Sequence, residues 1–452
     1  MLAPAYLGLI VFIIFFEIYR KKSTVIDFLS LFNLGFIFIY PLSAFLLEYD
    51  FGESRSKLMF NSELYKTSIE AAIAIFAGYF IVVLGFYSTS SQKLANKITI
   101  RSCTDKTLII YAISLLIFSG ISIQIYSSQY GGIDEALSNT MLIRSNVLES
   151  GSLVFFKHFV LFCNFSSYLI AALLFKSTSI KSRTFLWIIL VISVIVSMLS
   201  FTLTAGRSNI IKYFITFLLA YITQHQKITF QTFNKSIPLL FAFVFFIIYG
   251  RTFFAVTGKI TQGFDAVVDS FNYSVYEESD RFDFYEFIGN FIYPFHSLNA
   301  ALTKEYQWRL FIDIFYGIIA FLPEKLLNVT NLPKSISSDN TAYIVGTVDY
   351  GIPPGLLAFG IYSMSWFGLI ILCFFYGWIA RYLQTILSNH LQKISWIGFI
   401  YVITIQVWLD FTFAGDFEVL LIGNLWFFLA SFPLIFILCK VYVHQQNRHS
   451  NI

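Results

Sequence analysis

The chain has 452 residues, of which 57% are hydrophobic and only 12% are charged, and its formal net charge is +4. A soluble domain carries about 25% charged residues, so this chain has too few charges to cover a water-facing surface. The composition therefore excludes an ordinary soluble domain and predicts an all-α polytopic membrane protein that has no nucleic-acid partner.

Apolar runs long enough to cross a membrane recur along the sequence, because about 20 apolar residues span the hydrocarbon core. The first run lacks a basic leader and ends in Arg20, so we expect no cleavable signal peptide. We divide the chain into a bundle of about eight helices in 1–250, a hydrophilic loop in 251–355, and about three helices with a short tail in 356–452. The eleven predicted spans lie near residues 2–19, 28–47, 67–87, 107–126, 154–175, 185–204, 208–222, 236–250, 356–380, 395–413 and 419–439.

Basic residues indicate how these spans are oriented. Alternate loops hold more than half of the 30 lysines and arginines, accompanied by only two acids, Asp27 and Asp105. Because Lys and Arg accumulate in cytoplasmic loops, we predict an external N-terminus and a cytoplasmic C-terminus. The predicted external loops are 48–66, 127–153, 205–207, 251–355 and 414–418.

Two arginines stand in a part of the sequence that has no acids. From Ser150 to Phe264 there is no Asp or Glu, yet Arg207 and Arg251 lie at the outer ends of predicted spans. One interpretation is that both side chains extend to lipid headgroups. The other is that both face a cavity and bind an anion such as a diphosphate through paired hydrogen bonds. Arg207 also opens a predicted helix, whose free N–H groups favour an anion.

The loop 251–355 contains further arginines whose roles the spacing leaves open. Arg281 is a third candidate for the anion, but Glu277 lies four residues before it, which is also the spacing of a helical ion pair. Arg309 stands four residues from both Glu305 and Asp313, so we expect an ion-pair ladder there.

Other polar residues of this loop could contact a sugar. His296 lies in an apolar setting, where its imidazole is either a general base for a sugar hydroxyl or a hydrogen-bonded packing residue. Asn340, Tyr343 and Asp349 precede the glycine-dotted span after 355 and are candidate sugar contacts, although packing and turn formation explain the glycines equally well.

The sequence offers no pattern for a metal or a cofactor. No Gly-rich phosphate loop follows a strand-like segment, so we expect no nucleotide site, and the acidic run at 277–283 fits no metal motif. The four scattered cysteines form no CxxC pair, and we interpret them as small packing residues rather than as a metal or disulfide site. They are Cys103, Cys163, Cys373 and Cys439.

The layout resembles that of the Wzy-type O-antigen polymerases, which polymerise oligosaccharide repeat units. The matching features are the Phe-rich spans, the dominant external loop late in the chain, the hairpin Gly206-Arg207-Ser208, and the run from Asn340 through Gly346 and Tyr350 to Gly355. The Arg-x10-Gly pattern of some members is absent after Arg144, because Phe155 stands where the glycine belongs.

The resemblance implies a multi-pass protein of the bacterial inner membrane that acts in lipopolysaccharide biosynthesis, surrounded by membrane lipids. Such an enzyme transfers a growing glycan from undecaprenyl diphosphate to the non-reducing end of another lipid-linked repeat unit at the periplasmic face. It uses no nucleotide sugar or other cofactor, and a chain-length regulator is an implied partner.

In this interpretation Arg207 and Arg251, with Arg281 as a third, neutralise the diphosphate, and His296 acts as the base. Two alternatives stay open. An O-antigen ligase or related lipid-linked glycosyltransferase shares the layout and differs in its acceptor. A lipid-linked oligosaccharide flippase belongs to another class, for which we expect short external loops and charges within the spans.

Overall fold

The structure is a computed structural model, and it describes most of the two apolar parts of the chain together with pieces of the long loop. Arg251, Arg281 and Asp349 lie outside the described residues. Those described are 2–49, 64, 66–144, 148, 151–176, 180–204, 206–225, 241, 244–245, 248–250, 252–253, 255–276, 291–304, 308–319, 335–346, 351–439 and 441–443.

The described chain is almost entirely helical, as the apolar composition predicts. Up to residue 144, the elements are α1 Ala3–Tyr19, α2 Phe28–Ile39, α3 Pro41–Leu47, α4 Ile69–Phe86, α5 Thr89–Ala95, β1 Ile98–Ile100, α6 Asp105–Ser128, α7 Ile133–Ser138 and α8 Thr140–Arg144. A 3₁₀ turn, Ser152–Phe156, is followed by α9 Lys157–Val160, α10 Phe162–Lys176, α11 Ile180–Leu203 and α12 Arg207–His225.

The second half begins with a 3₁₀ turn, Ile260–Gln262. It continues with α13 Phe264–Tyr276, α14 Tyr293–Thr303, α15 Ile312–Ile319, α16 Ile336–Val345, α17 Gly355–Ser388, α18 Ile397–Ala414, α19 Phe417–Gly423, α20 Leu425–Phe432, a π-helical turn Pro433–Leu438 and β2 Val441–Val443.

Long apolar helices confirm that the chain is a polytopic membrane protein. Within the described residues, seven helical segments are long and apolar enough to cross a membrane, and there are eight if the pair Phe417–Gly423 and Leu425–Leu438, bent by 63° at the break between them, is one span. Ala3–Tyr19 is apolar but shorter than these segments. Helix α12 covers the predicted span 208–222, but it is not among the helices that are long and apolar enough to cross a membrane. The span predicted at 236–250 falls mostly outside the described residues, so the total of eleven stays a prediction. The seven are Phe28–Leu47, Ile69–Phe86, Asp105–Ser128, Leu153–Phe175, Arg183–Leu203, Gly355–Ser388 and Ile397–Ala414.

The chain packs as two units that are interleaved along the sequence. Unit 1 comprises Met1–Lys97, Asp283–Ile386 and Thr404–Asn424. Unit 2 comprises Ile98–Phe282, Leu387–Ile403 and Leu425–Ile452.

In unit 1, α17 is a helical hairpin rather than one straight rod. Its helical backbone breaks at Met364 and Ser365, where Ser365 has a φ of 54°, and the two arms then pack closely at Gly360 and Gly368. A Cβ added to Gly368 would lie 2.1 Å from the carbonyl oxygen of Gly360. The glycines therefore permit a backbone contact that any side chain would prevent.

The break in α17 frees the carbonyl of Ser363, and a neighbouring segment satisfies it. The backbone N–H groups of Arg309 and Leu310 donate to this oxygen at 3.2 and 2.9 Å. Leu310 and Phe311 adopt left-handed conformations, with φ of 50° and 56°, which are costly for side-chain-bearing residues. The two hydrogen bonds offset part of that cost and fix the segment before α15 against the hairpin.

At the other end of unit 1, a buried ion-pair network fastens α1 to α2. The guanidinium of Arg20 donates to Asp27 at 2.5 and 2.7 Å and to Glu17 at 2.6 Å, and the Arg20 and Asp27 side chains are only 3% and 1% exposed. Ser30 and Asn33 donate to the Glu17 carboxylate as well. Burial opposes the charge of Arg20, but the bonds to Asp27 and Glu17 outweigh it and raise the pKa of the guanidinium.

In unit 2, hydroxyl groups join neighbouring helices. Ser119 of α6 donates to the carbonyl oxygen of Val160 at 2.6 Å, and Ser166 of α10 donates to that of Ala112 at 2.7 Å. Tyr213 of α12 donates to Ser167 at 2.8 Å. Small hydroxyl residues let helices approach closely and satisfy polar groups away from water. Unit 2 also contains the antiparallel pair β1–β2, in which Ile100 faces Val441.

The Arg20 network gives the first testable prediction. Asp27→Ala should lower the free energy of unfolding by about 3–5 kcal/mol, because it leaves the buried Arg20 charge without its main partner. The midpoint of thermal unfolding in detergent is the measurement, and Asp134→Ala, at an exposed position, is the matched control. An unchanged midpoint for Asp27→Ala would contradict the network's stabilising role.

The hairpin in α17 gives a second prediction. Gly368→Ala should destabilise the protein by about 1–3 kcal/mol or more, because the new methyl group meets backbone that cannot rotate away. Gly120→Ala is the control, since Gly120 also lies in a helix but a Cβ there has nothing within 4 Å. The two variants should differ clearly in thermal midpoint, and equal midpoints would refute the close contact.

Candidate functional site

The candidate site lies in unit 1, where α14 and α16 pack against each other. Pro294 occupies the first turn of α14, where a missing N–H costs nothing. Ser335 caps α16 by accepting from the N–H of Ser338, and Gly346 ends it in the left-handed conformation at φ 80°. Local sequence signals therefore set both ends of α16 and one end of α14.

The amide of Asn340 is the centre of this packing. Asn340 is fully buried, and its Nδ2 donates to Ser297 Oγ at 2.9 Å and to the carbonyl oxygen of Ile352 at 2.8 Å. Its Oδ1 accepts from the hydroxyl of Tyr362 at 3.0 Å. Both donor positions are used within the protein, so this geometry favours a structural role for Asn340, and its contact with a sugar stays a prediction.

Thr341 and Ser337 extend the network toward the segment between α18 and α19. Thr341 Oγ1 donates to the carbonyl oxygen of Ser337 at 2.6 Å and accepts from the N–H of Ile352 at 2.7 Å. The Ser337 hydroxyl donates to the carboxylate of Asp416, which is only 2% exposed and also caps α19. One helix face thus joins residues from three separate segments of the chain.

His296 and Asn299 hold a fourth segment to α14. His296 is 3% exposed, and its Nδ1 donates to the carbonyl oxygen of Leu64 at 3.1 Å. The Asn299 amide donates to the carbonyl oxygens of Leu64 and Lys66 at 2.9 and 3.1 Å. Burial lowers the pKa of His296 to about 4, and the bond to Leu64 opposes this only in part.

This setting bears on the catalytic role predicted for His296. A ring so buried and so weakly basic meets no substrate hydroxyl in this conformation, and the geometry favours the packing interpretation. Its role as a base remains a prediction, which requires the segment at Leu64 to move aside.

Arg309 lies beside this cluster and is paired with two acids. It donates to Asp313 at 2.5 and 2.8 Å and to Asp339 at 2.7 Å, and these contacts raise its pKa. The predicted pair with Asp313 is found, but Arg309 precedes α15, so it is not part of a helical ladder, and Glu305 lies outside the described residues. Both carboxylates bind this guanidinium, so this arginine is a poor anchor for a diphosphate.

A cation and aromatic rings stand next to the same helix. Lys304 Nζ lies 5.9 Å from the centre of the Tyr343 ring and 6.0 Å from that of Tyr362, which is the outer limit of a cation–π contact. Trp308 is 63% exposed. A lysine beside a half-buried tyrosine ring is a combination that can bind an anionic group and a sugar face together.

The structure brings only some of the predicted site residues together. His296 and Asn340 are linked through consecutive residues, because Ser297 bonds to Asn340, and Tyr343 lies one turn further along α16. Arg207 is the first residue of α12, which confirms that it opens a helix. Its side chain is not described, and Arg251, Arg281 and Asp349 lie outside the described residues.

Sequence reasoning missed several members of the network. Tyr362 and Asp416 could have been identified from the sequence, because each is a polar residue beside or within an apolar run and needs a hydrogen-bond partner there. Ser297, Thr341 and Lys304 carried no such signal, because the partners that tie them to other segments are between 11 and 58 residues away along the chain.

The buried imidazole predicts how stability depends on pH. Above pH 6.5 His296 is neutral in both states, whereas between pH 6.5 and about 4 only the unfolded chain binds the proton. The free energy of unfolding should therefore fall by about 3 kcal/mol over that interval. The thermal midpoint of the wild type should fall more steeply below pH 6.5 than that of His296→Gln, and parallel curves would contradict the burial.

The described site therefore consists of a hydrogen-bonded polar interior and a polar, aromatic outer face. The interior, around Asn340, positions helices, and the outer face carries Asp339, Tyr343 and Lys304. Among known proteins, no family model, no curated protein and no solved structure matches this chain.

Proposed function

We propose that the protein is a membrane glycosyltransferase that polymerises lipid-diphosphate-linked oligosaccharide repeat units at the external face. The main support for this proposal is that several segments of the chain meet around α14 and α16. Four segments that the sequence predicts to be external, at 64–66, 291–304, 335–355 and 414–418, meet in one buried hydrogen-bonded network. An ordered structure of this kind suits an enzyme better than a flexible tether between spans.

Contacts at the opposite end of unit 1 support the predicted orientation. Ser23 accepts from Gln384 Nε2 and Ser90 accepts from Trp378 Nε1, both at 2.8 Å. Both serines lie in loops that the distribution of Lys and Arg assigns to the cytoplasm, and both partners lie in the last part of α17. Segments of the two predicted sides therefore do not mix in these contacts, which supports the predicted grouping of these loops on one side of the membrane.

Unit 2 supports the same assignment independently. Strand β1 lies in the predicted cytoplasmic loop 88–106, and it pairs with β2 in the C-terminal tail. His390, in the next predicted cytoplasmic loop, accepts from the N–H of Ile100 at 3.0 Å. Pairing of residues 98–100 with 441–443 requires an even number of crossings between them, and the prediction of eight spans in that interval satisfies this condition.

The chemistry of such a transfer fits the residue types at hand. A lipid diphosphate is already a good leaving group, so the enzyme has to stabilise its developing charge and to position and activate one hydroxyl. We assign the diphosphate to Arg207, Arg251 and Arg281, as the sequence predicts. Tyr343 is the proposed sugar contact on the outer face of α16.

The test is to delete the gene in its bacterial host and to separate the surface polysaccharide on a gel. A polymerase predicts that the long ladder disappears while a single repeat unit still caps the lipid core. Loss of all repeat units from the core, with lipid-linked polymer accumulating, would instead identify a ligase. Single lipid-linked units retained on the inner leaflet would identify a flippase.

Complementation then tests the anion site. Arg207→Ala should fail to restore the ladder, because the diphosphate loses a guanidinium, whereas the protein should reach the membrane at the normal level. Arg183→Ala, an exposed arginine at the predicted cytoplasmic end of α11, should restore the ladder fully. Normal polymer length with Arg207→Ala would refute its assignment.

A further inference from the structure

Two cysteines that are 336 residues apart in the sequence lie side by side in unit 2. The Sγ atoms of Cys103 and Cys439 are 3.1 Å apart, with the Cys439 thiol donating to Cys103. A disulfide bond is about 2.05 Å long, so a shift of about 1 Å would bring the sulfurs to bonding distance. The spacing of the cysteines in the sequence predicted no such pair.

The β1–β2 pair explains why these two residues meet. In the antiparallel register, Ile100 faces Val441. If that register continued for two more residues, position 102 would lie opposite position 439. Cys103 is therefore one residue from the position opposite Cys439, just beyond the paired strands. Arg101 adds a contact, with its guanidinium carbon 4.9 Å from the centre of the Tyr442 ring. The approach of the sulfurs is therefore built into the backbone pairing.

We propose that Cys103 and Cys439 form a reversible dithiol–disulfide site that fastens the C-terminal segment to the segment before α6. The two cysteines differ in solvent exposure, as a dithiol–disulfide site requires. Cys103 is partly exposed and can meet a soluble oxidant, whereas Cys439 is only 2% exposed and stands directly behind it. The hydrogen bond from Cys439 lowers the pKa of Cys103, which raises the fraction of reactive thiolate.

The reaction needs a two-electron oxidant, for which a low-molecular-weight disulfide is the fitting class. The Cys103 thiolate attacks one sulfur of that disulfide, and the first small thiol leaves. Cys439 then loses its proton and attacks the Cys103 sulfur, which forms the Cys103–Cys439 bond and releases the second small thiol. Two protein thiols are thereby oxidised, and one small disulfide is reduced to two thiols.

The other two cysteines are matched internal controls. Cys163 and Cys373 are both 0% exposed. Cys163 lies 3.3 Å from the hydroxyl of Ser200, and Cys373 lies in unit 1 beside Gly78. In a reducing cytoplasm the Cys103–Cys439 pair would rest as thiols and close under oxidative conditions. This inference is independent of the proposed glycan transfer.

The experiment uses the full chain in detergent and the oxidant diamide, which leaves no thiol adduct on the disulfide product. After denaturation, a polyethylene-glycol maleimide should label all four cysteines of the reduced protein and only two of the oxidised protein. Dithiothreitol should restore the four labels. The intact mass should fall by two hydrogen atoms, and the oxidised chain should migrate faster on a non-reducing gel because a long loop is closed.

Variants decide whether this pair is responsible. Cys103→Ser and Cys439→Ser should each keep three labels before and after diamide. The double variant with Cys163→Ser and Cys373→Ser retains the proposed pair and should pass from two labels to none. Four labels on the oxidised wild type, or a disulfide-linked dimer in place of the faster monomer, would overturn the proposal.

Discussion

The buried amide of Asn340 is the interaction on which the ordered part of unit 1 depends. It bonds simultaneously to α14, to the segment before α17 and to the first arm of the α17 hairpin. Each of these elements is short or broken, and a short helix gains little stability from its own backbone. Their order must therefore come from tertiary contacts, and a fully satisfied amide among them costs less than an amide left without partners.

The need of every buried polar group for a hydrogen-bond partner also explains how the other broken elements of unit 1 are arranged. An apolar chain leaves few places where polar backbone can be exposed, so each break needs a local partner. The break in α17 receives two N–H groups from residues 309 and 310, and the end of α18 is fixed where Gly415 meets the carbonyl of Gly355. Both of these irregular segments lie next to the elements that pack around α14 and α16.

Long regular features could be predicted from the sequence. The span at 67–87 is found at Ile69–Phe86 and the span at 107–126 at Asp105–Ser128, because an apolar run about 20 residues long is itself the signal. The pair Arg309–Asp313 was also predicted from local spacing, but Arg309 precedes α15, so the two residues do not form the helical pair that the spacing suggested.

Features that depend on distant partners could not be predicted. The dipeptide Met364-Ser365 has no helix-breaking residue, and the hairpin there follows from Gly360 and Gly368 meeting across the break. Asp339 joins Arg309 from 30 residues away. His296 was predicted as a base from its residue type and its apolar, external setting, whereas its hydrogen-bond partner, the carbonyl of Leu64, belongs to another loop.

Helix α16 shows how the buried network could serve a site that faces outward. Ser337, Asn340, Thr341 and Ile344 form one buried stripe at helical spacing. Asp339 and Tyr343 lie on another face of the same helix, so their positions are fixed by the stripe behind them. Substitution of a stripe residue would move the outer face as well as weaken the fold. If an Asn340 variant loses activity, its thermal stability must be measured before the loss can be attributed to catalysis. Tyr343, in contrast, can be changed on the outer face without removing a hydrogen bond of the stripe.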